Sequence, residues 1–251
     1  QGMKARLYFS YGMTKTGSTL AFRLTQRFFQ RNGYEQPLIP GEFLGEDRVM
    51  NFIILPTPEQ LTGMVKFAED HDTCIVLKTH SAPTPEMAEM VRKGTAYAHA
   101  VFRDPREVAL SMIDHGKRNR EKGASAFTEI ETLKDAEEAI DVQIPYLEEW
   151  LRLPGVFPAY YDDFAWTLRP MIVWLRRQTG LKERSIKGVL VVFNSKLRSQ
   201  YNKATKSRWK EDMTAKEAAI YRKRFSRFYT RLLYMRWWPF RPFLMKWRTL
   251  R

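Results

Sequence analysis

Three short apolar runs, Leu7-Tyr8-Phe9, Cys74-Ile75-Val76-Leu77 and Ala96 to Phe102, each stop at a polar or charged loop. Helix-spaced segments follow them, beginning with Leu20, Phe22, Leu24, Phe28 and Phe29 after the first. Apolar runs this short, without polar alternation, read as parallel strands buried on both faces. Repetition of strand, loop and helix therefore predicts an α/β fold. The expected architecture is a three-layer sandwich: a central, mainly parallel sheet, a phosphate-binding loop after the first strand, and ligands outside the carboxyl ends of the strands.

A chain of 251 residues that is 44% apolar and 14% aromatic can bury a full core without metal or disulfide staples. One domain, 1–251, is expected. The single cysteine, Cys74, forms no internal disulfide and offers no metal-knuckle spacing, which fits a reducing compartment. No apolar run approaches the roughly 18 residues of a membrane span, and the start lacks the regions of a signal peptide. A cytoplasmic protein is expected. Gln1-Gly2 reads as a remnant of tag removal ahead of a native Met3.

Further helices are expected at about Glu59 to Asp70, Pro85 to Lys93, Glu107 to His115, Asp135 to Leu153, Pro170 to Thr179 and Ala215 to Tyr234. Residues Asn32 to Pro58 read as loops around short elements, and Gly116 to Thr132 as a mobile loop.

Gly12 and Gly17 have the G-x-x-x-x-G spacing of a phosphate loop, but Ser18-Thr19 stands where the Walker pattern has lysine, and the lysine is displaced to Lys15. An anion cradle survives that change, because Gly17 allows close backbone approach and the following amides open a helix whose N-terminus favours negative charge. A plain tight turn is the competing reading. No second-strand aspartate stands out as a magnesium ligand, so a metal-free phosphate-handling reaction is favoured over a conventional kinase.

Lys15-Thr16-Gly17-Ser18-Thr19, Lys78-Thr79-His80 and Arg103 followed eight residues later by Ser111 occur in order, each at a strand end. Together they resemble the sulfotransferases that use 3′-phosphoadenosine 5′-phosphosulfate (PAPS) and release adenosine 3′,5′-bisphosphate (PAP). Tyr161-Asp162-Asp163-Phe164 and Trp209-Lys210 extend the resemblance over about residues 7 to 212. Two departures stand out: Asn202-Lys203-Ala204 replaces the family's frequent Arg-Lys-Gly, and Leu20 replaces the tryptophan that many soluble members stack on adenine.

The resemblance implies in-line transfer of a sulfuryl group to a hydroxyl or amine of a small-molecule or lipid acceptor, without metal. It assigns Lys15 to the bridging oxygen of the leaving group, Thr16, Gly17, Ser18 and Thr19 to the 5′-phosphate, and Lys78 to the transferring group. Arg103, Ser111 and Lys203 fall to the 3′-phosphate and Tyr161 to the adenine. His80 is the implied general base, in keeping with an imidazole's ordinary pKa. The competing readings are a structural His80, an Arg103–Asp104 ion pair at a helix start, and His115, beside Asp114, as a rival base. His71 and His99 have no catalytic context.

The formal charge is +14, and its placement is uneven: after Glu217 come ten basic residues and no acidic one. Ten aromatics are interleaved with them from Tyr221 to Trp247. Tyr221, Phe225, Phe228 and Leu232 share one helical face and would pack on the domain, whereas the stretch broken by Pro239 and Pro242 reads as an anchor for the surface of an anionic membrane. The basic tail, 218–251, is thus the expected point of any peripheral membrane contact, and no nucleic-acid partner is expected. An ATP-dependent phosphoryl-transfer enzyme and a non-enzymatic membrane- or polyanion-binding module are the alternatives.

Overall fold

The computed structural model describes residues 3–44, 50–166, 168–182 and 207–236, with side chains as far as residue 231. Five strands, β1 (Leu7–Gly12), β2 (Phe52–Ile53), β3 (Ile75–Thr79), β4 (Ala96–Phe102) and β5 (Phe157–Tyr160), form one parallel sheet in the order β2-β3-β1-β4-β5. The helices are α1 (Ser18–Arg31), α2 (Gly41–Leu44), α3 (Pro58–Asp70), α4 (Pro85–Lys93), α5 (Pro105–Lys122) and α6 (Leu133–Arg152). After them come α7 (Tyr161–Phe164), α8 (Arg169–Thr179), α9 (Trp209–Asp212), α10 (Ala215–Arg224) and α11 (Ser226–Arg236). Packing divides the chain into two compact units, one within Gln1–Arg103 and Glu138–Ala204, the other within Asp104–Glu137 and Thr205–Arg251.

In the first unit all six residues of β1 are buried, as a strand covered on both faces requires. Tyr8 joins the cluster with Phe22, Leu24, Phe28 and Phe29 of α1 and Met171, Ile172 and Leu175 of α8. On the opposite face Phe9 and Tyr11 meet Trp150 of α6, with ring centroids 5.8 and 5.6 Å away. The sheet is therefore the middle layer of a three-layer α/β sandwich. Each fully buried phenylalanine of α1 contributes about 2–3 kcal/mol of apolar burial, which outweighs the helix's weak start at Gly17. A buried relay crosses the Tyr8 side: Ser10 Oγ donates to His99 Nε2 at 2.8 Å, His99 Nδ1 to the Tyr8 hydroxyl at 3.2 Å, and Tyr8 to Gln178 Oε1 at 2.8 Å. Burial pushes His99 down to about 3, so it stays neutral and structural.

Local signals set the helix starts. Thr57, Thr84 and Asp104 each cap a first turn whose next residue is proline, and Thr57 with Gln60 completes a capping box.

In the second unit α5 runs on to Lys122, into the first part of the segment expected to be a mobile loop, and ends at Gly123 in the left-handed conformation. Gly116 lies inside this helix as a packing glycine: a Cβ there would collide with the carbonyl oxygen of Phe127 and lie 3.0 Å from that of Ile130. The expected helix from Ala215 to Tyr234 is two helices, parted at Phe225. Tyr221, Phe225 and Phe228 are buried, and the Tyr221 hydroxyl donates to the Leu133 carbonyl. The aromatic face packs inward here. Of the basic tail, 218–251, the part from residue 237 on, which holds Pro239 and Pro242, lies outside the described residues.

Candidate active site

A parallel sheet puts the loops that follow β3, β1 and β4 side by side at one edge. The register pairs Tyr11 with Thr79 and Gly12 with Val101, so Met13 to Gly17 leaves the sheet between His80 and Arg103. Three bonds shape this loop: Met13 N–H to Val101 O at 3.1 Å, Thr14 N–H to Gln143 Oε1 at 2.6 Å, and Thr16 Oγ1 to Met13 O at 2.6 Å. Thr16 is fully buried with its hydroxyl turned into the loop. Lys15 and Gly17 both have positive φ, 61° and 81°. Gly17 precedes α1 with no side-chain cap, leaving the first-turn amides to an outside acceptor.

On the β3 side, Lys78 Nζ donates to Thr19 Oγ1 at 2.8 Å and lies 5.9 Å from the centre of the Phe52 ring. Burial, Arg23 and Lys15, in that order, lower its pKa to about 8. Cations that repel one another at a loop of this shape are poised for an anion. Two residues on, His80 Nδ1 donates to the Gly12 carbonyl at 2.5 Å, which leaves Nε2 as the basic nitrogen. Burial and the Lys78 charge push the imidazole down to about 4, so it is neutral at physiological pH. Its ring faces Phe52 at 5.5 Å.

On the β4 side, the Arg103 guanidinium lies 4.3 Å from the centre of the Tyr161 ring. Tyr161 Cε2 in turn lies 2.5 Å from where a Cβ on Gly17 would stand. Residues 17, 103 and 161 are thus brought together through one ring. Ser111 is buried on α5 in the second unit, and Lys203, with Asn202 and Ala204, lies outside the described residues. Asp104 is held by Arg106 (2.6 and 3.0 Å) and by the Tyr229 hydroxyl at 2.7 Å, while Arg106 stacks 3.5 Å from the centre of the Trp209 ring. Beside His115, Asp114 pairs with Arg208 at 2.7 Å, and the His115 ring faces Phe127 at 5.5 Å.

A sheet with this order and these loops can be compared with solved structures. The mouse sulfotransferase SULT7A1 complexed with PAP superimposes with a TM-score of 0.54, at 12% identity, over 90% of this chain and 85% of its own. The chain has the sulfotransferase fold. A retinol dehydratase in complex with retinol and PAP (TM-score 0.42, 16% identity, 76% of this chain and 64% of its own) also matches. So does the sulfotransferase STF1 of Mycobacterium tuberculosis (TM-score 0.45, 12% identity, 89% and 77%). No family model and no curated protein sequence matches the chain.

The loop after β1 suits an anion such as a phosphate. The observations are the uncapped first turn at Gly17 and the depressed ammonium of Lys78, which a neighbouring anion would restore. The sequence reading missed Arg23, Phe52 and Gln143. Arg23 stands one helical turn beyond Thr19, a spacing that could have been noticed; Phe52 and Gln143 reach the site through tertiary contacts that no local pattern carries. Among the described residues no helix is long and apolar enough to cross a membrane, and no cluster of metal-ligating side chains occurs.

Proposed function

We propose that the protein is a sulfotransferase that moves a sulfuryl group from PAPS to a hydroxyl or amine of a small-molecule or lipid acceptor in the cytoplasm, without a metal. The observation that carries this reading is the meeting of Lys15 and Gly17, Lys78 and His80, and Arg103 and Tyr161 at one edge of a sulfotransferase-type sheet. The donor supplies a sulfuryl group on a phosphosulfate anhydride. The amides of Thr16 to Thr19 at the start of α1 hold its 5′-phosphate, helped by the Thr19 hydroxyl. Lys15 neutralises charge on the leaving oxygen and Lys78 on the transferring group, both electrostatic tasks that a water-poor site strengthens. Arg103 takes the 3′-phosphate through its planar fork, with Ser111 and Lys203 assigned to the same group, and Tyr161 borders the adenine.

His80 takes the acceptor's proton at Nε2. The Gly12 carbonyl fixes the required tautomer by accepting from Nδ1. A pKa of about 4 would make a weak base, but the same burial and Lys78 charge that lower it are offset once donor anions enter.

The test is release of PAP from PAPS, with a chelator present, across a panel of acceptors. Lys15→Ala should keep the thermal unfolding profile, because alanine at φ 61° carries much the same backbone cost as lysine, and should lose at least about 100-fold in turnover. An unchanged rate would remove the leaving-group role from Lys15.

A further inference from the structure

Two hydrogen bonds from α6 reach the two loops that carry the proposed chemistry. Gln143 Oε1 accepts from the Thr14 amide at 2.6 Å, and Trp150 Nε1 donates to the Ser81 carbonyl at 2.9 Å. Thr14 directly precedes Lys15; Ser81 directly follows His80. Residues seven apart lie two turns along the same helical face, so one helix, with Pro145 between the two anchors, serves both loops.

We propose that α6 is a positioning strut, in which Gln143 and Trp150 set the phosphate loop and the His80 loop at a fixed separation. This rests on the assignment of the Lys15 loop to the 5′-phosphate. Each anchor is itself held. The Gln143 amide nitrogen donates to the Ala139 carbonyl at 2.9 Å, which turns its oxygen towards Thr14. The Tyr11 hydroxyl reaches the Gln143 carbonyl at 3.5 Å. Trp150 is fully buried, with its ring stacked on Tyr11 and tilted against Phe9 of β1. The strut therefore grips the strand as well as the loops beyond it.

The loop has a physical need for such a grip. Lys15 sits at φ 61°, a left-handed conformation that is unfavourable for a non-glycine residue and persists only where neighbours over-determine it. The Gln143 bond fixes the peptide just before Lys15, and it commits the Thr14 N–H, so the amides available to a phosphate begin beyond Thr14. Gln143 and Trp150 are positioning residues, acting on Lys15 and His80 through the backbone.

The experiment uses Gln143→Met, which keeps side-chain length and removes the acceptor, and Trp150→Phe, which keeps an aromatic ring and removes the donor. In the ligand-free protein, amide hydrogen exchange at Thr14 should rise at least about tenfold in Gln143→Met. The nitrogen resonances of the His80 ring should shift from the Nδ1–H tautomer towards a mixture in Trp150→Phe. By calorimetry Gln143→Met should bind PAP about tenfold more weakly, equivalent to about 1.4 kcal/mol, and adenosine 3′-monophosphate within about twofold of wild type. A Thr14 amide as protected as in wild type, an unchanged His80 tautomer, or an equal loss for both nucleotides would overturn the strut. The ligand-free readouts decide the strut even if the wild type fails to bind PAP; that failure would overturn the sulfotransferase reading alone.

Discussion

Gly17→Ala probes the loop and its lining ring at once. Residue 17 has φ 81°, where an L side chain costs about 1–2 kcal/mol. The new methyl would also lie 2.5 Å from Tyr161 Cε2, where ordinary carbon contacts are about 3.5–4.0 Å. The ring must move by about 1 Å, at the 1–3 kcal/mol typical of an overpacked site, roughly. Its stacking with Arg103, 4.3 Å away, would be disturbed as well, for about another 0.5–1 kcal/mol. The sum predicts a loss of about 2.5–6 kcal/mol, less about 0.4–1 kcal/mol that alanine regains by restricting the unfolded chain. Urea unfolding with an unchanged m value would measure it. In a Tyr161→Ala background the same substitution should cost only the backbone part, about 1–2 kcal/mol less the same ~0.4–1 kcal/mol, because the ring is gone. A Gly17→Ala protein within about 0.5 kcal/mol of wild type, or an equal penalty in both backgrounds, would refute the reasoning.

Two further predictions concern protons. Lys78, at about 8 in the free protein, is mostly neutral at pH 9; PAP binding should raise its pKa and take up close to one proton, read from binding heats in buffers of different ionisation enthalpy. Uptake should fade by pH 6.5, where Lys78 is already charged, and absence of uptake at pH 9 would contradict the placement of this ammonium beside the anion. His80, held near 4 against an ordinary 6.5, binds a proton more readily when unfolded, so its neutral burial is fully favourable above pH 6.5 and stability falls as pH drops from 6.5 through 4. His80→Asn should recover up to about 3 kcal/mol of that acid loss in unfolding experiments at pH 4 relative to pH 7; an identical pH dependence would show that His80 is not held neutral.

Much of the first unit was legible because its signals are local. Thr84-Pro85 and Gly94 bracket α4, and the apolar run from Ala96 to Phe102 is β4 itself. Gly116 misled the reading: a glycine among polar residues signals a loop, yet here it admits the crossing Phe127 carbonyl inside a long helix. Phe225 parts two helices although it continues the apolar spacing of the first, which periodicity cannot detect. At the candidate site, Lys15, Lys78, His80 and Arg103 could be picked out because each follows or ends a strand. Tyr161 could be named from its motif, but its place between Gly17 and Arg103 is a tertiary fact. Gln143 and Trp150 lie on a helix with no motif at all, more than a hundred residues from the loop that Gln143 holds.

The most direct test of the central claim is a calorimetric comparison of PAP with ADP, made without added metal. PAP should bind much more tightly than ADP, because the proposed site gives Arg103 a 3′-phosphate that ADP lacks. Equal affinity for the two nucleotides, or binding of ADP only with magnesium, would contradict a PAPS site and return the chain to a kinase-like reading.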